Sequence, residues 1–191
     1  MGFRAFIDAQ ILVEARPRDV LLTLAEAGMF EPLWSPLVLE EMARHLPSAM
    51  TEDRRSHLVE QMNTAFPEAS VQWSGLVDIE VRLAVNAKDR HVAAAALHGG
   101  ADVILTDDNG FFHELRTSGL CDVQKPPEFI AYAIDTDQPR ARVALIEMAI
   151  NRWGADDEHD AELRLKAYFT KRGWNPDGLD ATRRPRGSFR W

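Results

Sequence analysis

The chain has one cysteine, no long apolar run and no surplus of positive charge, and each scarcity closes off a class of function. A lone Cys121 cannot form an internal disulfide. Between Leu120 and Asp122-Val123 it reads as a small packing residue rather than a nucleophile. No stretch approaches the roughly 18 apolar residues of a membrane span. The opening MGFRAFIDAQ places an acid where a secretory signal would be apolar, so a cytoplasmic protein is expected. A formal charge of −8 argues against a protein that coats nucleic acid nonspecifically, because that binding depends on Lys and Arg neutralising phosphates. It does not exclude a nuclease, since carboxylates gathered to hold divalent cations add negative charge that the cations then reverse.

What is present is a globular balance, with 46% hydrophobic and 27% charged residues over 191 positions. That length suits one core of ordinary size with an appendage. The apolar run from Phe3 to Ile7 ends at Asp8 and leads into a helical stretch, and a second helix is expected after Pro17, where Val20, Leu21, Leu24 and Ala25 recur before Gly28. A short strand is expected near Leu33-Trp34. Ser35-Pro36 then signals a helix start, with Ser as cap and Pro at the first helical position. A polar helix over 51–65 stops before Pro67, and 69–73 reads as a third strand.

Asp89 opens the helix former HVAAAALHGG, and residues 102–105 form an apolar strand ending in Thr106, Asp107 and Asp108. A helix near 111–116, a strand at 122–124 and a helix at 129–134 follow. Strands separated by helices at this spacing imply an α/β fold with a parallel sheet flanked by helices on both faces. Beyond Asp135 the pattern turns purely helical, over 142–153 and 158–169. The expected division is an α/β domain over 1–134, a C-terminal helical extension over 135–173, and an irregular basic tail over 174–191.

Asp8 and Asp107-Asp108 stand where open parallel sheets place their ligands, at the carboxyl ends of strands, and Asp89 stands at the start of the helix that feeds the second of these strands. Crowded carboxylates repel one another unless a proton or cation intervenes. Magnesium or manganese suits such a set, because these hard ions take oxygen ligands, bind phosphate and activate water. Each acid also has a plainer reading: Asp89 as a helix cap, Glu41 as a solvated neighbour of Glu40, and Asp107-Asp108-Asn109 as a turn that starts a helix.

In order, FIDAQIL, SPLVLEEM, NAKDRHVAAAAL and ADVILTDDNGFF resemble the four motifs of PIN domains. The resemblance covers about residues 1–134. It selects Asp8, Glu41 over Glu40, Asp89 and Asp108 as the metal-holding catalytic acids, with Thr106, Asp107 and Gln10 in supporting positions. Gln10 stands where the family commonly has asparagine, and Asn86, three before Asp89, stands where relatives often have an acid. The resemblance implies a Mg2+- or Mn2+-dependent endoribonuclease that hydrolyses RNA with metal-activated water. Among compact members it points to the VapC-type toxin of a toxin–antitoxin pair, with a protein antitoxin as partner and a homo-oligomer, a dimer, as assembly. The apolar faces over 20–25 and 39–46 suit the walls of a groove for a docking partner helix, or else are spent wholly on the core.

Other residues weigh less. Arg183, Arg184, Arg186 and Arg190, beside Phe189 and Trp191, suit RNA contact by phosphate pairing and stacking, or else a solubilising end. His91 lies close enough to Asp89 in sequence to reach a phosphate. Two alternatives to the ribonuclease remain: a degenerate PIN domain that binds RNA or protein without cutting, and an aspartate-based phosphatase or phosphoacceptor using Asp8.

Overall fold

The computed structural model describes residues 2–173, which form two compact units, residues 2–18 with 30–126 and residues 19–29 with 127–173. The first unit is built on a wholly parallel sheet of β1 (Arg4–Ile7), β2 (Glu31–Leu33), β3 (Val103–Leu105) and β4 (Asp122–Gln124), in the order β2-β1-β3-β4. Phe6 pairs with Leu33 on one side and with Ile104 on the other. Central strands of a parallel sheet are covered on both faces, so they carry no polar alternation. Ala5, Phe6, Ile7, Val103, Ile104 and Leu105 are accordingly all fully buried. Because the strands run the same way, the chain segments that follow Ile7, Leu33, Leu105 and Gln124 gather at one edge.

The connecting helices are α1 (Ala9–Val13), α2 (Ala15–Glu26), α3 (Pro36–His45), α4 (Glu52–Ala65), α5 (Leu76–Glu80), α6 (Arg90–His98), α7 (Asn109–Ser118) and α8 (Pro126–Thr136). Ser35 caps α3, its hydroxyl accepting from the Val38 N–H at 3.3 Å, with Pro36 in the first turn. The paired glycines after α6 do different work. Gly100 takes φ +64°, which an L side chain rarely adopts, and a Cβ on Gly99 would lie 2.8 Å from Val71. In the second unit, α9 (Gln138–Trp153) and α10 (Glu158–Lys171) bury Ala141, Leu145, Ala149, Ala161, Leu165 and Phe169. Asp19 accepts from the Trp153 indole at 3.0 Å, and Arg142 pairs with Glu158 at 2.9 Å and with Glu162.

Several expectations are corrected. Residues 69–73 form only a single bridge, Ser70 to Trp34, fixed by two backbone bonds of 3.0 and 2.8 Å on either side of Trp34. The partner strand runs out there, because Ser35 begins the cap of α3 and Pro36 has no N–H to donate. Helix α2 starts at Ala15, ahead of Pro17, since a proline in the first turn forfeits no helical bond. Helix α9 starts at Gln138, where Asp137 caps it by accepting from the Arg140 N–H at 3.2 Å. Of the two readings of the apolar faces over 20–25 and 39–46, the core reading holds: Val20, Leu21, Leu24, Ala25, Leu39, Met42 and Leu46 are all buried. No helix among the described residues is long and apolar enough to cross a membrane. The four tail arginines lie outside the described residues.

Candidate active site

Asp8 follows the buried end of β1, and its N–H continues the sheet ladder by donating to the Leu105 carbonyl at 3.0 Å. It occupies the cap position of α1 yet makes no side-chain cap bond. Its carboxylate instead receives the hydroxyl of the fully buried Thr106 at 2.7 Å. A hydroxyl has one proton to give. Having given it to Asp8, Thr106 Oγ1 accepts from the Asp108 N–H at 3.1 Å. Asp8 itself is only 7% exposed. Burial pushes its carboxyl up to about 6, against the lowering effect of the Thr106 and Ala9 hydrogen bonds, and the charges of Glu41 and Asp89 push the same way as burial.

Glu41 is carried on α3, whose Val38, Leu39 and Met42 face the interior. That register leaves Glu40 exposed and Glu41 half-buried, 3.6 Å from Nε2 of His91. Asp89 stands at the cap position of α6, but its side chain caps nothing. Its Oδ2 is buried without a hydrogen-bond partner, with the Lys88 ammonium 3.7 Å away. Burial raises its carboxyl above the usual carboxylate range, Asp108 and Glu114 add to the rise, and Lys88 and His91 oppose it. The plainer reading of Asp89 as a cap therefore does not describe its side chain.

For Asp108 the plainer reading does hold. Its Oδ1 accepts from the N–H groups of Gly110 and Phe111 at 2.7 and 3.0 Å, capping α7, while Oδ2 takes the Lys88 ammonium at 3.1 Å. The Phe111 amide first, and then Lys88, hold its carboxyl below the usual range. Asp107 and Gln10 are exposed. Two contributors escape a sequence reading, Lys88 and Glu114. Glu114 accepts from the Asn86 N–H at 2.8 Å and so brings a carboxylate to the loop where Asn86 carries none. Its one sequence signal is its place between the buried Phe111 and Leu115, at the border of the interior face of α7.

Among the described residues no three His, Cys, Asp or Glu side chains converge tightly enough to hold a metal ion. The donor set still fits a hard cation: it is all oxygen, it repels itself, and it contains a buried carboxylate oxygen with no donor. Burial pushes the Cys121 thiol up to about 11, which agrees with a packing role. A separate groove of about 650 Å³ runs between α3 and α4, edged by Glu40, Glu52 and Glu60, and none of the four acids lines it.

A family model for the PIN domain matches residues 4–110, more than half of the chain. The chain belongs to the PIN domain family. The matched span includes Asp8, Glu41, Asp89, Thr106 and Asp108. PIN domains are in general nucleases, so the fold is that of a hydrolase acting on nucleic acid. Neither a comparison with curated proteins nor one with solved structures gives a match.

Proposed function

We propose that this PIN domain is a divalent-metal-dependent endoribonuclease, working in the cytoplasm as the toxin of a toxin–antitoxin pair. The observation that carries the metal dependence is Asp89 Oδ2, a buried carboxylate oxygen without a donor in a cluster whose charges raise one another. Asp8, Glu41, Asp89 and Asp108 would hold Mg2+ or Mn2+. Such an ion, when bound, neutralises the phosphate and lowers the pKa of water for in-line attack.

The protein's own groups supply orientation. The Thr106 hydroxyl fixes one oxygen of Asp8 and ties it to the backbone of Asp108, so the ends of two neighbouring strands move together. His91 faces Glu41 and limits how that side chain turns. Asp108, anchored by two backbone amides, has one oxygen directed at Lys88. The toxin role, the protein antitoxin and the dimer rest on the motif resemblance alone.

A second reading is favoured by Lys88, whose ammonium already pairs with Asp108 and approaches Asp89. In that reading the acids are neutralised internally, and the domain binds RNA or protein without cutting. Incubation of single-stranded RNA with the wild-type chain, with and without Mg2+ or Mn2+, separates the two. Cleavage that needs the ion and is lost in Asp8→Asn is the expected result, and binding without cleavage under every metal condition supports the second reading. Expression of the wild type alone should arrest growth while Asp8→Asn does not. Harmless expression of active enzyme removes the toxin role and leaves the nuclease.

A further inference from the structure

Lys88 sits between two of the acids without satisfying both. Its ammonium is 3.1 Å from Asp108 Oδ2, a true hydrogen bond, but 3.7 Å from Asp89 Oδ2, which stays buried and undonated. The side chain is 60% exposed, so it enters from the rim and is not packed in place. An exposed ion pair of this kind is weak. A divalent ion held by the same carboxylates would repel an ammonium at hydrogen-bond distance, so the two compete for the pair. The four-carbon stem of lysine lets the ammonium leave with no change in the backbone.

The neighbouring basic side chains are held elsewhere. The Arg90 Nε donates to the Val85 carbonyl at 2.9 Å, and His91 faces Glu41. A released Lys88 ammonium would therefore lie beside the acidic cluster, where a phosphodiester needs a positive partner.

We propose that Lys88 is a displaceable counter-ion: it neutralises the Asp89–Asp108 pair when no divalent ion is bound, and contacts a backbone phosphate of the RNA once such an ion takes the carboxylates. This rests on the metal-dependent reading above. It assigns one residue two opposed effects, since it hinders metal binding and assists RNA binding, a combination that a merely structural lysine would not produce.

The test uses the full chain as wild type, Lys88→Met and Lys88→Arg. Mn2+ binding is followed by electron paramagnetic resonance without RNA, and binding of an uncleavable 2′-O-methyl oligonucleotide is followed by fluorescence anisotropy with Mn2+ present. Lys88→Met, which keeps the stem and loses the charge, should bind Mn2+ about two- to fivefold more tightly. It should also bind RNA more weakly, with a salt dependence shallower by about 0.7 in log–log slope, the loss of one single-strand phosphate contact. Lys88→Arg should keep the wild-type slope. Unchanged or weaker Mn2+ affinity in Lys88→Met, or an unchanged slope, overturns the proposal while the metal-dependent reading stands. Failure of both wild type and Lys88→Met to bind Mn2+ at millimolar concentration overturns both.

Discussion

Asp8 and Asp108 are the same residue type at the same edge of neighbouring parallel strands, yet their carboxyls are displaced in opposite directions. Asp8 comes immediately after β1, inside the wall of the domain, where burial outweighs a single hydroxyl and a backbone bond. Asp108 comes three residues after β3, at the start of α7, where two free amides and the helix dipole favour negative charge. One charge is costly and the other is already satisfied. The position of an acid along a strand end thus decides whether its charge is opposed by burial or satisfied by helix amides.

The largest effect should come from Asp8→Asn. Changes one step removed from a metal typically cost 10- to 100-fold, so loss of Asp8, the most deeply buried of the four acids, should lower cleavage by more than about a hundredfold. Stability should move the other way. A folded-state pKa raised from 3.8 to about 6 gives stability that is fully present below about 4 and lost as pH rises through about 6. Uncharged Asn retains it, so without metal the variant should be more stable at pH 7.5 by up to about 3 kcal/mol. The two proteins should converge at pH 4. Urea melts at both pH values check this, and parallel melts at both would show that Asp8 is not strained by its burial.

Glu41→Gln comes next, with an expected loss of about tenfold to a hundredfold, while Glu40→Gln should leave the rate within about twofold. The pair isolates helix register, because the two side chains differ chiefly in which way α3 turns them. Equal losses would break the link between burial on α3 and function. Thr106→Val is isosteric and removes the donor to Asp8. A buried oxygen left unpaired costs about 1–3 kcal/mol, and the Asp8 carboxyl should rise further. Cleavage should fall about tenfold near neutrality and recover partly as pH increases. A pH–rate profile that drops uniformly would mean that the hydroxyl acts on something other than the charge of Asp8.

These contrasts also show where sequence reading stops. The ends of β1 and β3, the Ser35-Pro36 cap and the breaks at Pro67 and Gly99-Gly100 are local signals that act within a few residues, and they were legible. So was the parallel α/β arrangement, because helices between short apolar runs allow little else. Residues 69–73 carry the apolar character of a strand, but pairing needs a partner, and Trp34 is the last residue able to offer one. In the site, residue types and order pick out which acids stand near strand ends. They do not tell which carboxylate oxygens are already in use. That Asp108 caps a helix while Asp89 does not, or that Lys88 reaches a residue 20 positions away, depends on side-chain placement across the sheet edge.

The smallest expected effect is the most direct test of the difference between the two strand ends. Asn is as good a helix cap as Asp, so Asp108→Asn should keep the bonds from the Gly110 and Phe111 amides and change stability by less than about 0.5 kcal/mol. The variant loses the charge that faces Lys88 and, on the metal-dependent reading, one ligand of a cation whose more buried ligand Asp8 remains. Cleavage should therefore fall only about threefold to tenfold at saturating Mn2+ and more steeply at low Mn2+. Unlike Asp8→Asn, it should gain no stability at pH 7.5, because the native carboxylate is already well served. A metal titration of the rate, read beside a urea melt, measures both. Loss of cleavage as deep as that of Asp8→Asn at every Mn2+ concentration would mean that Asp108 shares the central role of Asp8, and that its place at the start of α7 does not set it apart.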